Sequence, residues 1–187
     1  RGYKLAPPPV KVEAERLGLP VLQPENVSCP EFVRACAGMA PDVAVLAAFG
    51  QKISGELLAV PRHGFINIHP SLLPKYRGAA PIERAIMNGD SVTGVTIMYM
   101  DEGWDTGDTG IAEEIAIPRD ADRGWLEATL ADLGGELILR FLRLVECGEA
   151  PRVPQDHSAA TYASKLSSDE VRIDWRRSAR EIHDQIR

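Results

Sequence analysis

"GFINIHPSLLPKYRGAAPIERAIMNGD", residues 64–90, decides how this chain is read. Its head is strand-like, its middle is studded with prolines, and its tail is helical. Pro81 opens the helix and Asn88-Gly89 closes it, the usual asymmetry of helix ends. Within the strand, Asn67 and His69 stand two residues apart at the carboxyl end. A period of two puts both side chains on one face. Two hydrogen-bonding groups where a buried strand ends, followed at once by a rigid turn, call for a chemical explanation.

Working outward, "DVAVLAAFG" (42–50) is a continuous apolar run and reads as a strand buried on both faces of a parallel sheet. "TGVTIMYM" (93–100) is the next strand after 64–69, and the alternating "IAEEIAIP" (111–118) suits a sheet edge. "PVLQ" (20–23) is a further short strand candidate. Residues 7–9 are three prolines leading into a helix that Gly18 stops, and 31–39 form a second helix. A long helical region spans 122–147, with Asp122 as N-cap and Gly148 as stop; Gly134-Gly135 are expected to break or kink it. Strands alternating with helices give the expected class: α/β, a Rossmann-like, mostly parallel sheet with helices on both faces. Residues 1–150 read as one catalytic domain. Residues 151–187 read as a linker and the start of another, because Ser178 and Glu181 form a capping box for a helix that runs to the last residue.

The 187 residues suffice for a real core. A hydrophobic share of 44% and a charged share of 26% are ordinary for a globular protein. The net charge of −6 leaves no basic footprint for nucleic acid, so such binding would need local cations. Three cysteines, Cys29, Cys36 and Cys147, lack metal-ligand spacing and fit a reduced, cytoplasmic setting. No apolar run approaches the roughly 18 residues of a membrane span. No membrane association is expected.

In open α/β sheets ligands bind beyond the carboxyl ends of strands. If 93–100 runs parallel to 64–69, the loop "MDEGWDTGD" brings Asp101, Glu102, Asp105 and Asp108 to the edge that carries Asn67 and His69. An amide, an imidazole and a carboxylate then converge. The bland alternatives are a histidine that merely caps a strand and a solvated acidic turn. A calcium loop fails, because position three from Asp101 is Gly103, position six is Thr106 and position twelve is Ala112. His63, His157 and His183 have no comparable neighbours and read as surface or structural.

"INIHPSLLPKYRGAAPI" followed by "GDSVTGVTIMYMDEGWDTGD" closely resembles the signature of the folate-dependent formyltransferases. The "YRGAAPI" variant is most similar to the branch acting on methionyl-tRNA. "RGYKLAPPPVKVEAERLGLPVLQP" and "TYASKLSSDEVRIDW" extend the resemblance over nearly the whole chain. The resemblance implies transfer of a formyl group from N10-formyl-tetrahydrofolate to the amino group of initiator methionyl-tRNA, without a metal. Relatives acting on glycinamide ribonucleotide or a sugar nucleotide, or hydrolysing formyl-tetrahydrofolate, are the alternative. It assigns catalysis to Asn67, His69 and Asp105. Folate is expected against Phe49, Gln51, Lys52 and Ile53, against Ser71, Leu72, Leu73 and Pro74, and against Asp101 and Asp105. Arg1, Lys4, Lys75 and Arg77 are the expected tRNA contacts, and the protein is expected to be a monomer. By the same resemblance, roughly the first forty residues of the family's domain and its carboxyl-terminal tRNA-gripping barrel are expected outside this chain.

Overall fold

The computed structural model describes residues 6–187. Two helices come first, α1 (Pro9–Arg16) and α2 (Pro30–Met39), each with a proline at the first helical positions. Next are β1 (Ala44–Ala47), α3 (Gly55–Leu58), β2 (Phe65–His69), the two-residue β3 (Arg77–Gly78) and α4 (Pro81–Met87). The chain then forms β4 (Val92–Tyr99), β5 (Thr109–Ala116) and the 25-residue α5 (Arg123–Cys147), followed by β6 (Tyr162–Ala163) and α6 (Ala179–Ile186). Asp122 accepts the Trp125 N–H as N-cap of α5, and Gly148 (φ 73°) ends it in the left-handed conformation. The capping box of Ser178 and Glu181 forms at α6 as the sequence indicates. Residues 20–23 form no strand.

The central sheet has the order β1-β2-β4-β5. β1 and β2 are parallel, whereas β4 is antiparallel to both β2 and β5. The α/β class stands, and within the described residues the sheet is mixed. The reason lies in the connection after β2. A parallel crossover must carry the chain back along the strand before it re-enters. Residues 70–80 are spent on the turn, and α4 has only seven residues, about 10 Å of rise. The chain therefore re-enters at the edge it left, with Thr96 opposite His69.

Alternation along β2 divides two cores. Ile66 belongs to the larger one, with Val95, Ile97 and Tyr99 of β4 and Leu126, Leu130, Leu137 and Phe141 of α5. Phe65, on the opposite face, joins Val27, Ile53 and Leu57, with Phe32 and Val33 of α2 against them. Helices thus cover both faces. α5 lies across β4, β5 and β2, which leaves Val45 of β1 42% exposed. The strand buried on both faces is β4, not the apolar run 42–50, whose strand alternates between half-buried and exposed. Gly134 does not break α5. A Cβ there would lie 2.8 Å from Ile68 Cγ2, so its bare backbone lets the helix approach β2.

Residues 151–187, expected to be a linker, pack against the sheet domain. β6 pairs in parallel with β3, Val153 bridges Thr109, and Glu170 takes a bidentate ion pair from Arg84 of α4. Arg84 and the Ser167 backbone hold the Glu170 carboxyl down to about 2. No helix among the described residues is long and apolar enough to cross a membrane.

Candidate active site

Asn67 and His69 share the face of β2 that carries Phe65, away from α5. His69 is buried, and its Nε2–H donates to the Tyr76 carbonyl at 2.9 Å. A carbonyl only accepts, so this bond fixes the neutral tautomer and leaves the Nδ1 lone pair free. Nδ1 faces Asp105 Oδ1 at 3.7 Å. Burial is the strongest influence on the imidazole and pushes its pKa below the ordinary histidine value; Asp105 and the Tyr76 bond oppose this without reversing it. The group therefore stands neutral near pH 7 as a proton acceptor, with a carboxylate placed to stabilise the cation that would form. The Asn67 amide is half-buried and stays outside the hydrogen-bond network that ties down His69 and Asp105. No side-chain hydrogen bond engages it among the described residues, which leaves its N–H groups as candidate donors.

Asp105 reaches His69 by a route the sequence reading did not foresee. Because β4 is antiparallel, it ends beside Phe65, where the Met100 N–H bonds the Phe65 carbonyl. That is the far end of β2 from His69. Residues 101–108 double back over the Asn67 face to deliver the carboxylate, with Asp105 in the left-handed region at φ 53°, which aspartate tolerates better than most residues. Its Oδ2 accepts the Gly78 N–H at 2.8 Å and its backbone carbonyl accepts Gln155 Nε2 at 3.0 Å. Asp101 shapes the loop from within, its carboxylate accepting from the Gly103 N–H and the Thr106 hydroxyl.

The turn after His69 is equally constrained. Tyr76 sits at φ 60°, its N–H bonded to Thr161 Oγ1 and its hydroxyl to Asp90. The Leu73–Pro74 peptide is cis. Thr96 of β4 donates its hydroxyl to the Ser71 carbonyl and accepts the Leu73 N–H. Gly78 has φ 112°, and a Cβ there would meet the Ala163 carbonyl oxygen at 2.9 Å.

Several expected contacts are corrected. Arg77 is not a surface cation for tRNA: it is 2% exposed and bonds Gln155 Oε1 and His157 Nδ1. His157 is accordingly part of the site's support. Ser71 is fully buried with its hydroxyl on the Lys75 carbonyl, and Ile53 belongs to the core under Phe65. Neither side chain is open to a ligand, because both are consumed in packing the strand ends. Gln51 is tied to Val27 N–H and the Glu25 carbonyl, while Phe49 (42% exposed), Lys52 and Lys75 are on the surface. Leu72, Leu73 and Pro74 are half-buried. Arg1 and Lys4 lie outside the described residues. The sequence reading missed Tyr76, whose carbonyl sets the tautomer, and Gln155. Backbone acceptors leave no compositional mark, and Gln155 stands in a stretch that reads as linker. Two surface pockets of about 510 and 460 Å³ lie elsewhere, one around Arg62, Tyr99 and Arg152 and the other between α6 and residues 89–91.

Residues 2–142 match the formyl transferase family. The chain belongs to that family. It is 48% identical over all 187 residues to a methionyl-tRNA formyltransferase of Halothermothrix orenii, of which it spans 59%. It is 49% identical over the same span to the methionyl-tRNA formyltransferase of Symbiobacterium thermophilum, covering 57%. The chain thus spans rather over half the length of these curated relatives. Among solved structures, a sugar 3N-formyl transferase, WlaRD, studied with dTDP and 5-N-formyl-THF, superposes with a TM-score of 0.78 at 21% identity, covering 95% of this chain and 61% of that one. At that identity the likeness establishes the fold.

Proposed function

We propose that the protein containing this chain transfers a formyl group from N10-formyl-tetrahydrofolate to the amino group of initiator methionyl-tRNA. The observation that carries the reading is the pairing of a buried, tautomer-fixed His69 with Asp105 on the strand face that also carries Asn67. The similarity of all 187 residues of this chain to part of two methionyl-tRNA formyltransferases supports that acceptor. The amine nitrogen attacks the formyl carbon and forms the new C–N bond. The carbonyl electrons move onto oxygen, where Asn67 donates a hydrogen bond to the oxyanion. His69 Nδ1 takes the proton from the attacking nitrogen, and Asp105 stabilises the imidazolium. The oxyanion then collapses, the bond to N10 breaks, and the proton passes to N10. None of these steps calls for a metal.

Folate would lie over Phe49 and Lys52, the Leu72–Pro74 turn and the Asp101–Asp105 loop, with backbone groups doing part of the recognition. Lys75, and Arg1 and Lys4 at the amino end, are the candidates for the tRNA acceptor end. The test is formyl transfer by the intact protein with methionyl-tRNA, glycinamide ribonucleotide, a sugar nucleotide and water as competing acceptors. Transfer to methionyl-tRNA is expected to dominate. His69→Ala, Asp105→Ala and Asn67→Ala should each lower kcat by about a hundredfold or more. The His69/Asp105 double variant should lose far less than the product of the singles, because the two serve one proton transfer. Multiplicative losses would refute the coupled relay, and preference for another acceptor would refute the substrate.

A further inference from the structure

We propose that Gln155 is a positioning residue for the reaction, holding the Asp105 loop against His69 from a segment beyond the region matched to the formyl transferase family. The role rests on the formyl-transfer reading of His69 and Asp105. Gln155 is 8% exposed, and its Nε2 donates to two backbone carbonyls, Asp105 at 3.0 Å and Gly107 at 2.6 Å. Its Oε1 accepts Nε and a terminal nitrogen of Arg77, at 3.1 and 2.7 Å. The orientation of this amide is forced by chemistry. Arginine only donates and carbonyls only accept, so the oxygen must face Arg77 and the nitrogen must face the loop.

Arg77 gives the amide its anchor. It is a buried cation whose hydrogen bonds go to two neutral groups, Gln155 and His157, and no carboxylate pairs with it among the described residues. A buried charge left without acceptors is costly, so the guanidinium holds Oε1 firmly. The backbone beside it completes the clamp: β3 is fixed by β6, and the N–H of the next residue, Gly78, binds Asp105 Oδ2. Asp105 is thus gripped at its carboxylate by Gly78 and at its backbone by Arg77 acting through Gln155. The second grip sits where the chain takes its left-handed turn. A loop that has doubled back from the far end of β2 needs that restraint to keep a carboxylate within reach of one ring nitrogen.

Gln155→Glu separates the two arms. A glutamate satisfies Arg77 fully but sets an oxygen against the Asp105 and Gly107 carbonyls. In the intact protein, the variant is expected to keep its Tm within a few degrees while kcat for formyl transfer falls at least about tenfold, since displacements near 1 Å can cost up to a hundredfold. KM for the folate donor should stay within about twofold. The titration of His69 followed by NMR should move further down, as the Asp105 carboxylate withdraws from Nδ1. Arg77→Met/Gln155→Met, which removes the buried charge with both its arms, guards against a folding defect and should show the same two effects. Wild-type kcat together with an unmoved His69 titration in folded variants would overturn the role. If the wild-type protein formylates no acceptor, the reading of the reaction fails instead, and the His69 titration still decides whether Gln155 holds Asp105.

Discussion

Gly134 and Gly135 offer a matched pair of perturbations inside α5. Replacing either with alanine reduces backbone entropy in the unfolded chain and should stabilise the helix by about 0.5–1 kcal/mol. At Gly135 a Cβ meets nothing within 4 Å, so that gain should stand alone. At Gly134 the Cβ would sit 2.8 Å from Ile68 Cγ2 and 3.9 Å from Val95 Cγ1. Cγ2 is attached directly to the Cβ of a β-branched residue in a strand, so it cannot swing aside without moving β2. Overpacking of this kind costs about 1–3 kcal/mol. The two variants should therefore differ by about 2 kcal/mol, with Gly135→Ala above wild type and Gly134→Ala at or below it. For a chain of this size that is a gap of about 4–8 °C in Tm. Thermal and urea unfolding of the intact protein measure it. Ile68 also lies between Asn67 and His69, so Gly134→Ala should lower kcat while Gly135→Ala leaves it unchanged. Equal Tm shifts in the two variants would refute the claim that Gly134 is there for close approach.

Gly78→Ala places a side chain at φ 112° and against the Ala163 carbonyl oxygen; it should cost about 1–3 kcal/mol and loosen Asp105, read as a joint fall in Tm and kcat. Burial lowers the His69 pKa below 6.5, so the folded state binds fewer protons there than the unfolded chain, and stability should fall as pH drops below about 6.5. Asp105→Asn removes the carboxylate's upward pull and should move the acid limb of kcat/KM to lower pH; a move upward would contradict the assigned geometry. In the intact protein, tRNA affinity should weaken with salt, and Arg1→Ala/Lys4→Ala should reduce that slope by about two if both touch phosphates.

The candidate site residues on β2 were placed correctly on one strand face because that signal is local. Asn67 and His69 share a face by strand period alone, and the helix ends at Asp122, Gly148 and Ser178 follow from capping groups within three residues. Pairing direction was not legible. Nothing in "TGVTIMYM" distinguishes a strand buried in a parallel sheet from one buried in a mixed sheet, since both read as continuous apolar runs. The kink expected at Gly134-Gly135 rested on propensity, whereas the glycine answers to Ile68, a contact 66 positions away in sequence. Arg77 was read as a surface cation for a similar reason: burial of a charge depends on acceptors brought in from residues 155–157.

The antiparallel placement of β4 also changes how the site must be understood. In a parallel arrangement a carboxylate at the end of β4 would stand beside His69 by default, and its loop would need little else. Here β4 ends beside Phe65, and His69 lies four residues further along β2. At about 3.3 Å per residue, the loop must recover about 13 Å across the sheet face. Among the described residues no strand ladder holds that return. Arg152 and the Tyr99 N–H bind Asp108 at its far end, and two donors from outside hold its middle, Gly78 to the Asp105 carboxylate and Gln155 to two carbonyls. Both donors depend on residues 153–163, where Val153 bridges β5 and β6 pins β3. The segment that sequence reading assigned to a linker therefore closes the candidate site. Any displacement of it acts on the distance between Asp105 and His69.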